Sequence, residues 1–225
     1  MASFQQHVNI SIISSGVIIV PLHTANILSL NESIIALIVG LVGGMLPDLD
    51  LDDSKPTQIF FQLLSIFIPL ILILHIFEQI PILHILALWL VCGLILHFVL
   101  RKTLAQMTTH RGIFHSIPMG ILFAQIALFI SQEKLQQSSE LSSIIAFFIF
   151  FGFIVHLLLD EIYSFNLLGI KIKKSFGTAL KLYAKNNLIG TLILYILILF
   201  FFKYIPINTE VFLHIFRVLK DMKIM

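Results

Sequence analysis

Charged residues are scarce in this chain, and their scarcity decides its class. Only 12% of the 225 residues are Asp, Glu, Lys or Arg, whereas 58% are hydrophobic. A soluble domain carries about 25% charged and about 45–50% apolar residues. With a mean hydropathy of +1.02, there are too few polar side chains to cover a globule in water. The composition excludes a soluble enzyme and a disordered chain, and it indicates an integral membrane protein.

Cysteine and early basic residues are also missing. The single cysteine, Cys92, lies in an apolar run, which excludes a disulfide framework and a CxxC metal site. The first basic residue is Lys55, so the apolar stretch after His7 lacks the charged start of a secretory signal and is expected to be retained as the first helix. Because the net charge is only +2, no nucleic-acid partner is expected.

What the sequence does contain is a series of seven apolar runs, each a candidate membrane-spanning helix. A helix needs roughly 20 residues to cross the membrane. The runs are Val8–Leu22, Ser33–Leu46, Ile59–Phe77, Pro81–Leu100, Phe114–Ile130, Ser142–Glu161 and Asn187–Ile205. The third, fourth, sixth and seventh have full length, but the first two are short. Fourteen residues of helix rise only about 21 Å, so either the bilayer thins at the second run or that helix stops inside it, before Pro47. We predict an all-α, polytopic bundle of six or seven spans in one domain, residues 1–225.

Basic residues predict the orientation of this bundle, because Lys and Arg collect on the cytoplasmic side of inner-membrane proteins. The segments after the second, fourth and sixth runs contain nine Lys or Arg, whereas the opposite loops among the first six runs contain only Lys134. The N-terminus and the nine basic residues are therefore expected in the cytoplasm. The basic tail Ile207–Lys223 does not fit this pattern, so it is either an interfacial amphipathic helix or a sign that the last span is re-entrant.

Imidazoles and carboxylates stand at the ends of four runs, where such groups at membrane depth are functional-site candidates. By the parity of the runs, all four positions lie at the cytoplasmic end of the bundle. They are Asp48 and Asp50 after the second run, His110, Arg111 and His115 before the fifth, His156 and Asp160 at the end of the sixth, and His7 before the first.

The residue types and spacings favour a metal site. His156 and Asp160 are four residues apart and so share a helix face. His110 and His115 flank Gly112 and suit a turn that ends at a helix start, with Pro118 in the first helical turn. Imidazole and carboxylate ligands favour Zn²⁺ first, with Mn²⁺ or Fe²⁺ as other choices. The predicted ligands are His7, Asp48, His110, His115, His156 and Asp160.

Each cluster also has a structural interpretation. Residues 48–53 suit a solvated acidic loop, and the pair His156 and Asp160 suits a buried structural contact. Two other functions stay open: a cation or proton transporter, and a non-catalytic scaffold that recruits a partner through residues 171–185. A transporter predicts acidic residues at several depths, but the third and fourth runs contain none. Membrane lipids are expected partners in any case, because the basic segment 169–187 would gain about 1 kcal/mol per basic residue on anionic headgroups.

These motifs resemble a family of bacterial inner-membrane proteins described as metal-dependent hydrolases, some of them as LexA-binding or LexA-regulated. The matching pieces are residues 43–50, 110–116, 152–164 and 174–181, and the likeness extends from His7 to about Lys181. The last span and the amphipathic tail, residues 187–225, lie beyond it. The chain departs from the family pattern at Leu51, where many members have His, and at Phe114, where Thr is common.

A second resemblance is to the zinc-dependent phospholipases C and related zinc nucleases, which carry an early His, a later Asp and a helical HxxxD pair. It implies phosphoester hydrolysis by metal-activated water. The site's expected headgroup depth points to a lipid or lipid-linked phosphate as substrate. In this interpretation Asp50 orients an imidazole or acts as general base, and Arg111 holds the phosphate.

Overall fold

The computed structural model describes residues 3–50, 55–76, 80–102, 112–166, 171–172, 180–205 and 207–221. Within these ranges a helix overlaps each apolar run, which confirms the all-α prediction. The helices are α1 Phe4–Thr24, α2 Leu30–Gly43, α3 Lys55–Ile76, α4 Ile82–Leu94, α5 Ile117–Phe129, α6 Ser139–Ile162, α7 Leu188–Tyr204 and α8 Thr209–Asp221. A 3-10 helix, Leu46–Asp50, follows α2, and π-helical turns extend α4 over Ile95–Leu100 and α5 over Ile130–Lys134. Phe165–Asn166 (β1) pairs antiparallel with Lys171–Ile172 (β2).

Three helices of the described chain are long and apolar enough to cross a membrane: α1, α4 with its π-helical extension, and α6. The bent pair formed by α7 and α8 adds a fourth if it is one span. The expectation that the first run is too short is wrong, since α1 has 21 residues. It begins at the N-cap Ser3, whose hydroxyl accepts from the Gln6 N–H while the Gln6 side chain accepts from the Ser3 N–H. The larger total of six or seven spans stays a prediction.

The chain divides into two compact units, Met1–Pro47 with Arg111–Met225, and Asp48–His110. In the second unit α3 packs against α4. The Trp89 indole N–H donates to the Ile66 carbonyl at 3.4 Å, and a Cβ added to Gly93 would lie 2.9 Å from the Ser65 carbonyl oxygen. The prediction of one domain over residues 1–225 stays a prediction.

In the first unit α6 is the central helix. It packs against α1, α2 and α5, and 61% of its candidate span is buried, against 28% for α1. The outer helix α7 packs on α5, where the buried Gln125 side chain donates to the Ile198 carbonyl at 3.1 Å. An amide that bonds a neighbouring helix in this way stabilises helix association where water is absent.

Glycines let α2 and α6 approach backbone to backbone. A Cβ added to Gly152 of α6 would collide with the Gly40 carbonyl oxygen and would lie 2.8 Å from the Gly44 nitrogen. A Cβ on Gly43 would collide with the Ile149 carbonyl oxygen. Small residues at such contacts allow the close packing that drives helix association in membranes.

Serines fill the same role on α1. The buried hydroxyls of Ser11 and Ser15 face Gly44 and Gly40, at positions that an added glycine Cβ would invade. Because the two serines are four residues apart, as are the two glycines, both contacts lie along one face of each helix. Helices α1, α2 and α6 are therefore held close together near the C-terminal end of α2.

The amphipathic helix α8 packs at the other end of this unit. Val211 joins a buried cluster at the C-terminal end of α1 and the N-terminal half of α6, while Leu213 and Phe216 are exposed. The Asn208 N–H donates to the Ser143 hydroxyl at 3.2 Å. The tail thus forms an amphipathic helix, and the choice between an interfacial helix and a re-entrant last span stays a prediction. The other residues of the cluster are Ile19, Leu22, Leu28, Ala36, Ile144 and Phe148.

Candidate metal centre

The first turns of α1 bring His7 to the C-terminal end of α6. His7 is 4% exposed, and its Nε2 lies 3.5 Å from Oδ1 of Asp160. Its ring stacks on that of His156, with the ring centroids 3.8 Å apart and the planes 11° from parallel. One ligand atom from each of these three residues lies within 4.8 Å of the other two. The predicted pairing of an early histidine with the HxxxD pair is present in the structure.

The His156 and Asp160 side chains project from one face of α6 into the interior. Their exposed fractions are 1% and 0%, so neither points to the exterior. Burying an imidazole and a carboxylate is costly unless they are paired or bind a metal ion. His156 lies against Gly44 at the end of α2, and Asp160 lies near His7 of α1 and His115, which precedes α5.

The backbone of α2 orients His156. The Nδ1 atom of His156 lies 2.7 Å from the Gly44 carbonyl oxygen. A carbonyl can only accept, so Nδ1 carries the hydrogen of this bond, and a neutral ring then keeps its lone pair on Nε2. Metal-binding histidines are commonly held by this kind of bond from the other ring nitrogen. The sequence interpretation missed Gly44, because a backbone acceptor leaves no signature in residue type.

His115 adds a third imidazole from the turn before α5. It is fully buried, with Nε2 3.9 Å from Oδ2 of Asp160, and its ring centroid is 5.7 Å from that of His156. The turn has the predicted form: Ser116 is the N-cap residue and Pro118 lies in the first turn of α5. The Ser116 hydroxyl donates to the Ile113 carbonyl at 2.6 Å and so closes the turn.

The other predicted residues belong to the second unit or lie outside the described residues. Asp48 lies in the 3-10 helix Leu46–Asp50 and belongs to the second unit, and its carbonyl accepts from the Thr57 hydroxyl at 2.9 Å. Asp50 is the last residue of that helix. His110 and Arg111 lie outside the described residues. The roles assigned to these four residues stay predictions.

The buried face of α1 is polar near the cluster and apolar further on. Its buried residues, in order, are His7, Ser11, Ser15, Ile19 and Leu22. The polar part ends about two helical turns beyond His7. The cluster therefore occupies one end of the unit and does not continue along α1 as a polar path.

A hydrogen bond joins α1 to α6 at the outer edge of the cluster. The Gln6 side-chain amide donates to the Tyr163 hydroxyl at 2.8 Å. Gln6 precedes His7, and Tyr163 comes three residues after Asp160. This bond joins the chain segment that carries His7 to the segment that carries Asp160.

The residues that meet here fit a divalent metal ion. His7, His115, His156 and Asp160, called the His–Asp cluster below, offer three imidazoles and one carboxylate, the ligand types of zinc and related ions. All four are buried, and the His7 Nδ1 atom has no hydrogen-bond partner within the described part of the chain. Buried polar atoms that converge in this way are typical of a site that binds an ion.

Comparison with known proteins agrees with the membrane assignment. The family model described as YdjM inner membrane protein matches residues 1–216. No curated protein and no solved structure matches the chain.

Proposed function

The chain belongs to the YdjM inner membrane protein family, and from this premise we propose that it is a multi-pass, metal-dependent hydrolase. The observation that supports this most directly is the convergence of ligand atoms from His7, His156 and Asp160 within 4.8 Å, all in buried side chains. The proposed reaction is hydrolysis of a phosphoester in a lipid or lipid-linked substrate.

The proposed cofactor is a divalent ion, Zn²⁺ first, with Mn²⁺ or Fe²⁺ as the other choices. An ion of this kind activates water and polarises a phosphoester. His7, His156 and Asp160 would hold it, and His115 lies close enough to Asp160 to join them. From their place in the sequence, we propose Asp48 and His110 as further ligands.

The chain's own groups would orient and balance the site. The Gly44 carbonyl fixes the ring of His156, and the two oxygens of Asp160 face different imidazoles, those of His7 and His115. Beyond these ligands, we assign Asp50 to orienting an imidazole or accepting a proton. Arg111 would hold the substrate phosphate, since a guanidinium pairs with phosphate through two parallel hydrogen bonds.

The proposed orientation places the His–Asp cluster at the cytoplasmic side. Nine Lys or Arg in the segments of this side, against one in the opposite loops of the first six runs, support it. The cluster lies at the ends of α1 and α6, where a spanning helix meets the headgroups. A phosphate on a lipid would lie at this depth, which supports the substrate class.

The buried face of α1 favours hydrolysis over transport. A cation or proton path needs polar groups at successive depths of the bundle. On the buried face of α1 the polar residues stop at Ser15, and Ile19 and Leu22 join an apolar cluster at the other end.

Metal content tests the proposal. We expect stoichiometric zinc, manganese or iron in the purified wild-type protein and in His84→Ala, which removes an exposed histidine of α4. His7→Ala and Asp160→Ala are expected to lose the metal yet keep their helical circular dichroism. Wild-type protein without a transition metal, after growth in metal-supplemented medium, would leave the scaffold as the better interpretation. Metal flux into liposomes that both variants abolish would favour the transporter.

Substrate class is tested next with the same set of proteins. Phosphatidyl lipids and prenyl phosphates are incubated with wild-type protein, His84→Ala and Asp160→Ala in detergent, and released phosphate and phosphomonoesters are measured. We expect turnover of one lipid class by the first two proteins, its loss after chelation and its return when the metal is restored. Turnover that survives in Asp160→Ala would contradict a role for the cluster.

A further inference from the structure

Residues 180–187, called the docking segment below, connect to α7 and are fixed in place although they form neither helix nor strand. The Lys181 carbonyl accepts from the Ile117 N–H at 3.0 Å, and the Leu182 carbonyl accepts from the Tyr195 hydroxyl at 3.0 Å. The Ala184 N–H donates to the Thr191 hydroxyl at 3.1 Å. These bonds tie the segment to the start of α5 and to α7.

Despite this anchoring, the docking segment turns large apolar side chains outward. Leu182 is 59% exposed and Tyr183 is 49% exposed. In water such a fixed apolar patch marks an interaction surface. The patch continues into the apolar helix α7, where Leu188 and Ile189 are 64% and 75% exposed.

The charge around the patch has one sign. Lys185 is exposed within the docking segment, and the sequence from residue 162 to residue 209 contains six Lys and no Asp or Glu. Lysines near a membrane surface are attracted to anionic lipid headgroups. A tyrosine with an exposed ring suits the boundary between acyl chains and headgroups.

We infer that residues 180–187 dock onto an anionic lipid leaflet, with Leu182 and Tyr183 at the acyl-chain boundary and Lys185 against lipid phosphate. Continuity with the exposed apolar start of α7 favours lipid over a soluble acidic protein as the occupant. The docked lipids would lie at the end of the first unit that holds the His–Asp cluster, since Ile117, which bonds to Lys181, follows His115 by two residues. The inference does not depend on a bound metal.

Fluorescence quenching by brominated lipids tests the inference on the full chain in nanodiscs. In a Trp89→Phe background, Tyr183→Trp places a single tryptophan in the docking segment. Bromine is carried either by phosphatidylglycerol or by phosphatidylcholine, at equal mole fraction in mixtures of the two lipids. We expect stronger quenching from brominated phosphatidylglycerol, because one lysine enriches an anionic lipid about fivefold near it.

Two matched variants make the result decisive. Lys185→Gln, added to the Tyr183→Trp protein, is expected to remove most of the preference for phosphatidylglycerol. Ile193→Trp in the Trp89→Phe background places the tryptophan on the exposed face of α7 instead, and its fluorescence is expected to be quenched equally by both lipids. Equal quenching of the Tyr183→Trp protein by both lipids, or a preference that Lys185→Gln leaves intact, would overturn the inference. Quenching of this tryptophan by iodide in the water phase, and by neither brominated lipid, would also overturn the inference. That result is the one expected if the segment binds a soluble protein. Because the readout is lipid proximity, it is separate from metal loss or inactivity.

Discussion

The two ends of the first unit are built from the same helices but bury different side chains, ionisable groups at one end and apolar side chains with a few serines at the other. At one end α1 and α6 bury His7, His156 and Asp160. At the other end the same helices bury Ile19 and Phe148, with α8 packed against them. Both ends are equally hidden from the exterior, so the difference lies in chemistry and not in depth.

The comparison separates packing from function. Apolar side chains that interlock stabilise a bundle through packing contacts, as the cluster of Ile19, Leu22 and Phe148 near α8 illustrates. Imidazoles and a carboxylate need pairing to offset the cost of their burial. A chain under selection for stability alone has no reason to fill one end in this way, which supports a functional role for the His–Asp cluster.

The largest expected effect comes from breaking each end separately. Asp160→Ala should lower metal affinity by more than about 100-fold, since loss of even an outer partner of a metal ligand costs about 10–100-fold. Phe148→Ala should instead lower the free energy of unfolding by about 3–5 kcal/mol, with metal stoichiometry unchanged in the folded fraction. Thermal unfolding in detergent and metal analysis check the two effects, and a loss of metal in folded Phe148→Ala would contradict the separation of the two ends.

The next effect concerns the glycine contact that holds the helices together at the cluster. Gly152→Ala places a methyl group against the Gly40 carbonyl, so we expect a loss of about 1–3 kcal/mol together with weaker metal binding. The matched control is Gly16→Ala, because nothing lies within 4 Å of a Cβ at that position. The control should be neutral or more stable by up to about 1 kcal/mol. Equal melting temperatures for the two variants would show that the close approach of α2 and α6 is not needed.

A smaller effect is expected where α1 meets α2. Gly44→Ala would push against the Ser11 hydroxyl and shift the carbonyl that orients His156, so metal affinity should fall by about 10-fold. Ser11→Gly makes room for the new methyl group, and the double variant should recover most of the affinity. If Ser11→Gly alone removes the metal and the double variant does not recover, the serine acts at the metal site and not through packing.

The smallest effect is expected at the outer edge. Tyr163→Phe removes the hydrogen bond from Gln6, which stabilises the fold by about 0.5–1.5 kcal/mol at most. Gln6→Ala should have the same effect, and the double variant should add nothing. Unfolding temperatures of the three variants test this. Additive losses would mean that the two side chains act independently.

Much of the helical framework could be predicted from the sequence, because a long apolar run has few structures open to it in a membrane. The first run shows where this reasoning failed. Counting apolar residues from Val8 made it too short, but the capping pair Ser3 and Gln6 lets polar residues, His7 among them, continue the helix at its start. The division into two units left no composition shift, so the sequence did not indicate it.

Part of the site could also be predicted. The spacing of His156 and Asp160 put both on one helix face, and the helix parity put His7 and His115 at the same end. The Gly44 carbonyl and the contact of Gly152 with α2 could not be predicted, because both depend on how closely two distant helices approach.

By itself, the sequence determined that this protein is a helical inner-membrane chain with costly imidazoles and carboxylates at its helix ends. Hydropathy and spacing are local properties, so they can be read without knowledge of the packing. Which of these side chains lie close together was decided only by the tertiary structure. Glycine and serine contacts bring α1, α2 and α6 together and so place His7 beside His156 and Asp160. Ligand geometry is sensitive to shifts of about an ångström, and no one-dimensional pattern specifies distances on that scale.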